Sequence, residues 1–344
     1  MGRTGRKVAV LGGGSFGTAI ANILADNGHQ VMLWMRNQES IAEIKQKHVH
    51  SRYLPDLKLN EHIEPTSDLQ EAIVGAEVVF VSVPSKAVQS VVRSCVEWLK
   101  PEQILISTTK GIQADGFRFM SQVLKDETSS NYIGVLSGPN LAKELVAKML
   151  TGTVIASDSE HVRETVQSIL SCEYFRVYGN SDMFGVELGA SLKNIYAIAA
   201  GMATAMGMGE NTKSMLMTRS LAEMSRFAAA FGGNPYTFLG LAGVGDLFVT
   251  CSSKLSRNFQ VGYALAEGNS LEQVLENLGG TAEGVNTVKL VKAKSDEIGV
   301  YMPLVQGLHE ILFEGGEVFD VVKKLMLGAH NSDVEFVLPG PHTR

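Results

Sequence analysis

Val8-Ala9-Val10-Leu11-Gly12-Gly13-Gly14-Ser15-Phe16-Gly17-Thr18-Ala19 reads as a buried strand, a turn stripped of side chains, and the start of a helix. Gly12, Gly14 and Gly17 satisfy the spacing G-x-G-x-x-G, in which each glycine has its own task. Gly12 makes the tight turn, Gly14 lets the main chain approach a pyrophosphate, and Gly17 lets helix pack on strand. Free N–H groups at the helix start, near Ser15 and Phe16, would then face the phosphates. Glycine-rich turns also serve purely steric ends, so the flanks matter. Here an apolar run precedes the glycines, and the helical stretch 18–26 stops at Asn27-Gly28, a good C-cap. A second strand follows directly at 30–35.

Working outward, the first half alternates short β-rich runs with helical stretches, the mark of a mainly parallel sheet covered on both faces. Strands are expected at 7–11, 30–35, 77–83, 103–107, 132–137, 153–156 and 175–178, with helical periodicity through Val88, Val91, Val92, Cys95 and Leu99. After Asp182 no convincing strand remains. The run 183–206 reads as one long helix, apolar nearly all round and therefore buried. Segments 213–231, the neighbourhood of 263–267, 285–298 and 304–313 also read as helices. The fold class is therefore α/β followed by an all-α half: a dinucleotide-binding domain at 1–185, a helical domain at 186–332 and a loose tail at 333–344.

Bulk properties exclude several functions. The 344 residues carry 30 basic and 36 acidic side chains, a formal charge of −6, which argues against an electrostatic nucleic-acid binder. Three scattered cysteines show no metal-ligand spacing and read as buried thiols in a reducing compartment. The apolar run after Arg3, Arg6 and Lys7 is too short for a secretory signal. The longest apolar stretch, 195–209, falls short of the ~20 residues that span a bilayer. A cytoplasmic protein without membrane insertion is expected, and the apolar helices point to a homodimer.

Several residues have the right type and place for chemistry. Where an NAD-selective site carries an acid at the end of its second strand, this chain has Arg36, able to pair with a 2′-phosphate; a solvated loop arginine is the competing reading. NADPH is accordingly expected to serve at least as well as NADH. Lys110, after Ser107-Thr108-Thr109, lies at a strand's carboxyl end, where ligands of open α/β sheets bind, yet a surface lysine beside a turn glycine fits equally. Gly138 and Asn140 belong to a second glycine-bearing strand-to-helix turn at the same rim.

In the second half, Glu187-Leu188-Gly189-Ala190-Ser191-Leu192-Lys193-Asn194 puts a lysine and an asparagine into an otherwise water-free helix. A buried lysine is costly and has its pKa pushed down, as a proton shuttle near neutrality requires. A lysine snorkelling from a helix edge is the alternative. Glu187, seven residues before Asn194, shares its helix face and would orient the site. Asp246 and Thr250, four apart, present a carboxylate and a hydroxyl together. Ser256 suits an N-cap, and Arg257 and Asn258 in the following turn make a ready phosphate site, unless the arginine is merely exposed on a capped helix. The loop Gly279-Gly280-Thr281-Ala282-Glu283-Gly284 offers one carboxylate.

Taken together, these motifs make the chain resemble the bacterial-type NAD(P)-dependent glycerol-3-phosphate dehydrogenases from Val8 to about Leu327. The resemblance rests on residues 12–17, 107–111, 137–140, 187–194, 243–247, 256–259 and 282–284, in that order. It implies a Rossmann-like domain, a helical substrate domain and a site between them. The implied activity is reversible reduction of dihydroxyacetone phosphate to sn-glycerol 3-phosphate, which feeds glycerophospholipid synthesis, with NADPH or NADH and no metal. Lys193 is then the implied proton donor and acceptor. Substrate contacts fall to Lys110, Gly138, Asn140, Asn194, Asp246, Thr250, Ser256, Arg257 and Asn258. Cofactor contacts fall to Gly12, Gly14, Ser15, Phe16, Gly17, Arg36, Lys110, Ala142, Arg257 and Glu283. Phe16 replaces a more usual tryptophan, and Asn140 stands where a small residue is commoner. Two rivals remain: a related two-domain β-hydroxyacid dehydrogenase, and a nicotinamide-binding redox sensor without catalysis.

Overall fold

A computed structural model describes residues 5–113, 115–278 and 282–327; the expected tail at 333–344 lies outside them. The chain divides into two compact units, one ending at Glu187 and one starting at Leu188.

The first unit is built on an eight-stranded sheet. Its strands are β1 (Lys7–Leu11), β2 (Gln30–Trp34), β3 (Ile63–Thr66), β4 (Val78–Val81), β5 (Ile104–Ser107), β6 (Tyr132–Ser137), β7 (Thr151–Ala156) and β8 (Phe175–Asn180). In space they run β8-β7-β6-β5-β4-β1-β2-β3. All pairs are parallel except β6 with β7, so β7 and β8 run against the rest. The central strands are continuous apolar runs because both of their faces are covered: Val8, Val10, Leu33, Phe80 and Ile106 are all buried in one core. Strand order reverses at β1, flanked by β2 and β4, and the crevice at that switch point is where dinucleotides bind in such sheets.

All seven expected strands form, with ends shifted by a few residues. Strand β3 was not anticipated. Its sequence Ile63-Glu64-Pro65-Thr66 contains a proline, which argues against a central strand. The structure resolves the conflict by placing it at the sheet edge, paired with β2 alone.

The second unit is helical. Its longest element, Met183–Ala205, begins in the first unit and runs into the second, followed by Glu210–Ala230, Asp246–Ser252, Arg257–Ala266, Leu271–Asn277, Glu283–Ile298, Pro303–Phe313 and Val318–Met326. Leu271–Asn277 and Val318–Met326 are additions to the expected set. Met183–Ala205 is buried along almost its whole length, as its all-round apolar character requires. Glycine sets how closely it meets Arg257–Ala266. A Cβ on Gly262 would collide with the carbonyl of Ile198, and one on Gly201 with the carbonyl of Phe259. That near backbone contact brings Asn258 to Asn194.

Candidate active site

At the carboxyl end of β1, Gly12 has φ +128°, and its Cβ position is filled by the Ser82 carbonyl at 2.5 Å. A Cβ on Gly17 would strike the Gly12 carbonyl, so strand and helix close on each other as the spacing requires. Gly14 is the reverse case: nothing lies within 4 Å of where its Cβ would be. The helix Ser15–Asp26 starts there with no side-chain cap and no acid in its first turn. Its leading N–H groups therefore lack a protein acceptor of the capping kind, and the open space over Gly14 fits a pyrophosphate. Ser15 and Phe16 are half-buried beside this cradle.

Three further strand ends lie at the same edge of the sheet. Beyond β4, Ser82 shares a 2.7 Å hydroxyl–hydroxyl hydrogen bond with Thr108 beyond β5, and Thr109 donates to the Val83 carbonyl at 2.7 Å. These bonds lock the segment that ends in half-buried Lys110. Beyond β6, Gly138 has φ +143°. Asn140 is buried, donates to the Thr153 hydroxyl at 2.8 Å, and leaves its Oδ1 without a partner. A buried unpartnered acceptor is costly in a finished core and natural where a ligand donates. Half-buried Ala142 opens the short helix Ala142–Val146. Arg36 is exposed just past β2, before Asn37, which caps the Gln38–Lys47 helix by accepting from the Ser40 N–H at 2.7 Å.

In the second unit, Lys193 is 3% exposed and its ammonium forms an ion pair with Asp246, itself 1% exposed. Burial disfavours both charges, and their contact offsets that cost. Asp246, expected to hold substrate hydroxyls, makes this ion pair with Lys193. It is aimed by an irregular turn. Leu241–Gly245 is one π-helical turn, where Gly243 has no room for a Cβ against the Phe238 backbone, and the Asp246–Ser252 helix follows. Thr250 spends its hydroxyl proton on the Asp246 carbonyl at 2.6 Å, leaving oxygen lone pairs.

A second chain of bonds runs beside the pair. The Asn258 amide donates to Asn194 Oδ1 at 2.9 Å, and Asn258 Oδ1 accepts the Gly284 N–H at 3.0 Å. Asn258 is thus partly committed to holding Asn194. Gly284 must be glycine here, because a Cβ would lie 2.6 Å from the Asn194 carbonyl. Ser256 caps the helix Arg257–Ala266 by accepting the Phe259 N–H at 3.3 Å, and Arg257 is exposed in the first turn. Glu283 is half-buried at the start of Glu283–Ile298; residues 279–281 of its loop lie outside the described residues.

Some groups carry functions that the motifs do not reveal. The Glu187 carboxylate accepts from the Ser121 backbone N–H and hydroxyl, and burial pushes its pKa up to about 7. Glu223 is likewise pushed to about 7 by burial, although it accepts from the Leu304 and Val305 N–H groups and the Tyr196 hydroxyl. A carboxylate capping the Pro303–Phe313 helix from 81 positions away leaves no local signal. Burial raises the Cys95 and Cys251 thiols to about 12, so both stay protonated, while Cys172 is half-buried rather than buried as expected. Among the described residues there is no cluster of three or more metal-ligating side chains, and no helix is long and apolar enough to cross a membrane. A cavity of about 570 Å³ in the second unit is lined by Met202, Met206, Met215 and Leu308 among others, and by none of the predicted site residues.

Comparisons with known proteins bear on the whole chain. Residues 7–163 match the model for the NAD-dependent glycerol-3-phosphate dehydrogenase N-terminus, and residues 182–323 match that for its C-terminus. A glycerol-3-phosphate dehydrogenase (NAD(P)+) from Teredinibacter turnerae is 55% identical, covering 96% of this chain and 97% of its own. The counterpart from Alcanivorax borkumensis is 56% identical, covering 96% of each. Among solved structures, glycerol-3-phosphate dehydrogenase from Coxiella burnetii superposes with a TM-score of 0.89 at 34% identity, over 94% of this chain and 99% of that one.

Proposed function

Because the chain belongs to the NAD-dependent glycerol-3-phosphate dehydrogenase family, we propose that Lys193 is the proton donor in the reaction it catalyses, the reversible NAD(P)H-dependent reduction of dihydroxyacetone phosphate to sn-glycerol 3-phosphate. The observation that carries this reading is the buried Lys193–Asp246 pair. A reduced nicotinamide, when bound, supplies the hydride. Lys193 holds a proton on Nζ and gives it to the substrate oxygen; in the reverse direction it takes that proton back. Asp246 aims the ammonium through their ion pair, and Lys110 adds a second positive charge near the oxygen.

The phosphate is held by Arg257 and the N–H groups leading the Arg257–Ala266 helix, with Ser256 and Asn258 alongside. Asn194 and Thr250 contact the hydroxyls, and the unpartnered oxygen of Asn140, with Gly138, accepts from the substrate side. Gly12, Gly14, Ser15, Phe16 and Gly17 hold the pyrophosphate and its surroundings. Arg36 takes the 2′-phosphate, which favours NADPH; Ala142, Glu283 and Arg257 complete the cofactor contacts. The same reading makes the enzyme a cytoplasmic homodimer acting on a small molecule, with no nucleic-acid partner. The exposed apolar side chains of Met215, Phe319 and Met326 support the dimer.

The test is NADPH oxidation followed with dihydroxyacetone phosphate present or omitted. Wild-type oxidation depends on the substrate. Lys193→Ala lowers kcat at least ~10²-fold while the Kd for NADPH is unchanged. Retention of wild-type kcat in that variant removes Lys193 from the role.

A further inference from the structure

Six residues before Lys193, the same helix carries a second buried carboxylate with a different task. Glu187 is 1% exposed, and its two oxygens accept the Ser121 backbone N–H at 2.9 Å and the Ser121 hydroxyl at 2.5 Å. Ser121 lies in the first turn of the helix Met120–Glu127, whose leading residue, Phe119, provides no capping side chain. The orphan N–H of that helix is therefore satisfied from 66 positions along the chain. One turn earlier, Phe184 meets the Phe119 ring edge to face at 5.3 Å. Residues three apart share a helix face, so one side of the long helix grips Phe119 and Ser121 at two adjacent points.

The two grips differ in kind. An aromatic contact tolerates sliding and rotation, whereas two directional hydrogen bonds to one carboxylate do not. An apolar residue would fill the place without burying a polar group, so the carboxyl group is kept at a cost in desolvation. Its effect extends along the helix. A roll of only ~10° displaces a side-chain tip about 6 Å from the axis by ~1 Å, and displacements of ~1 Å in a reacting group cost up to ~10²-fold in rate. We propose that Glu187 is a positioning residue for the reaction: through Ser121, and alongside Phe184, it fixes the roll and axial register of the helix that presents Lys193. The inference rests on Lys193 being the proton donor.

The experiment uses the full-length enzyme and measures kcat, KM for dihydroxyacetone phosphate, Kd for NADPH and melting temperature. Glu187→Gln and Ser121→Ala each lower kcat ~10-fold, with KM and Kd within about twofold. The double variant is no slower than Glu187→Gln alone, because both remove one anchor. Ser121→Thr keeps its hydroxyl and its kcat. Val123→Ala, in the same short helix and 1% exposed, lowers the melting temperature but leaves kcat of the folded enzyme unchanged. The proposal is overturned if Glu187→Gln and Ser121→Ala turn over at the wild-type rate while Lys193→Ala does not. It is equally overturned if the double variant shows additive losses, or if Val123→Ala matches the anchor variants in kcat. Should Lys193→Ala itself remain active, the proton-donor assignment has failed and the anchor loses its object; that arm separates the two failures.

Discussion

The glycine turn after β1 and the Lys193–Asp246 pair are built by opposite means. The turn works by absence: Gly12 and Gly17 let backbone meet backbone, and Gly14 leaves a space over uncapped N–H groups. No side chain there has to be placed, and no charge has to be buried. The pair works by presence. It puts an ammonium and a carboxylate, 3% and 1% exposed, into an apolar helical unit and relies on each to justify the other. A site of the first kind is cheap to fold and sensitive to any added atom. A site of the second kind is expensive to fold and sensitive to the loss of either partner.

The largest effect should come from halving the pair. Asp246→Asn leaves Lys193 as a buried charge without its counterion, and such losses cost about 3–5 kcal/mol. Urea unfolding of Asp246→Asn checks this. The double change Lys193→Met with Asp246→Leu should recover most of the loss, since a well-packed apolar pair replaces an ion pair at little cost. A single variant as stable as wild type would mean that the two charges are solvated rather than buried, and the contrast with the glycine turn would vanish.

That contrast also explains what could be read in advance. The turn occupies residues 12–17 and depends on backbone shape alone, so its glycines announce it, as the apolar runs announce seven of the eight strands of the large sheet. Strand β3 is hidden by Pro65, which is tolerated only because β3 is an edge. Lys193 stands out as a cation in an apolar helix, but its partner is 53 positions away (246 − 193), and no periodicity connects them. Asn258 reads as a phosphate ligand because the motif Ser-Arg-Asn is local; its bonds to Asn194 and Gly284 come from a helix crossing set by Gly201 and Gly262. Glu187 and Glu223 cap distant helices, so their partners appear only once the chain has folded.

Buried carboxylates make the second kind of construction sensitive to pH, and the glycine turn provides the control because it contains no titratable side chain. Glu223 sits at about 7 against an ordinary 4.5. Between those values the native state holds a proton that the unfolded chain has lost. The stabilisation is therefore complete below about pH 4.5 and is lost as the pH rises through about 7. The difference amounts to about 3 kcal/mol at 1.36 kcal/mol per unit. Glu187, also near 7, adds to the same window. Stability should thus fall more steeply between about pH 4.5 and about pH 7 in the wild type than in Glu223→Gln, as chemical unfolding at each pH would measure. Equal slopes would place Glu223 in contact with water.

The smallest effect is the most discriminating, because it separates two glycines three positions apart. Alanine at Gly17 collides with the Gly12 carbonyl, a backbone atom that cannot swing aside, so Gly17→Ala should cost about 1–3 kcal/mol of stability. Alanine at Gly14 meets nothing within 4 Å and leaves a φ of −78° undisturbed, so the free protein should melt as the wild type does. Its methyl group instead stands where a pyrophosphate approaches the main chain, and NADPH affinity should fall about tenfold, or about 1.4 kcal/mol. Melting temperature and NADPH titration on the two variants decide the matter. If Gly14→Ala binds NADPH normally, the open space over that glycine is not the phosphate cradle. If Gly17→Ala keeps its stability, strand and helix do not depend on the missing side chain. Either result would show that the turn, like the ion pair, works through groups that are present rather than through those left out.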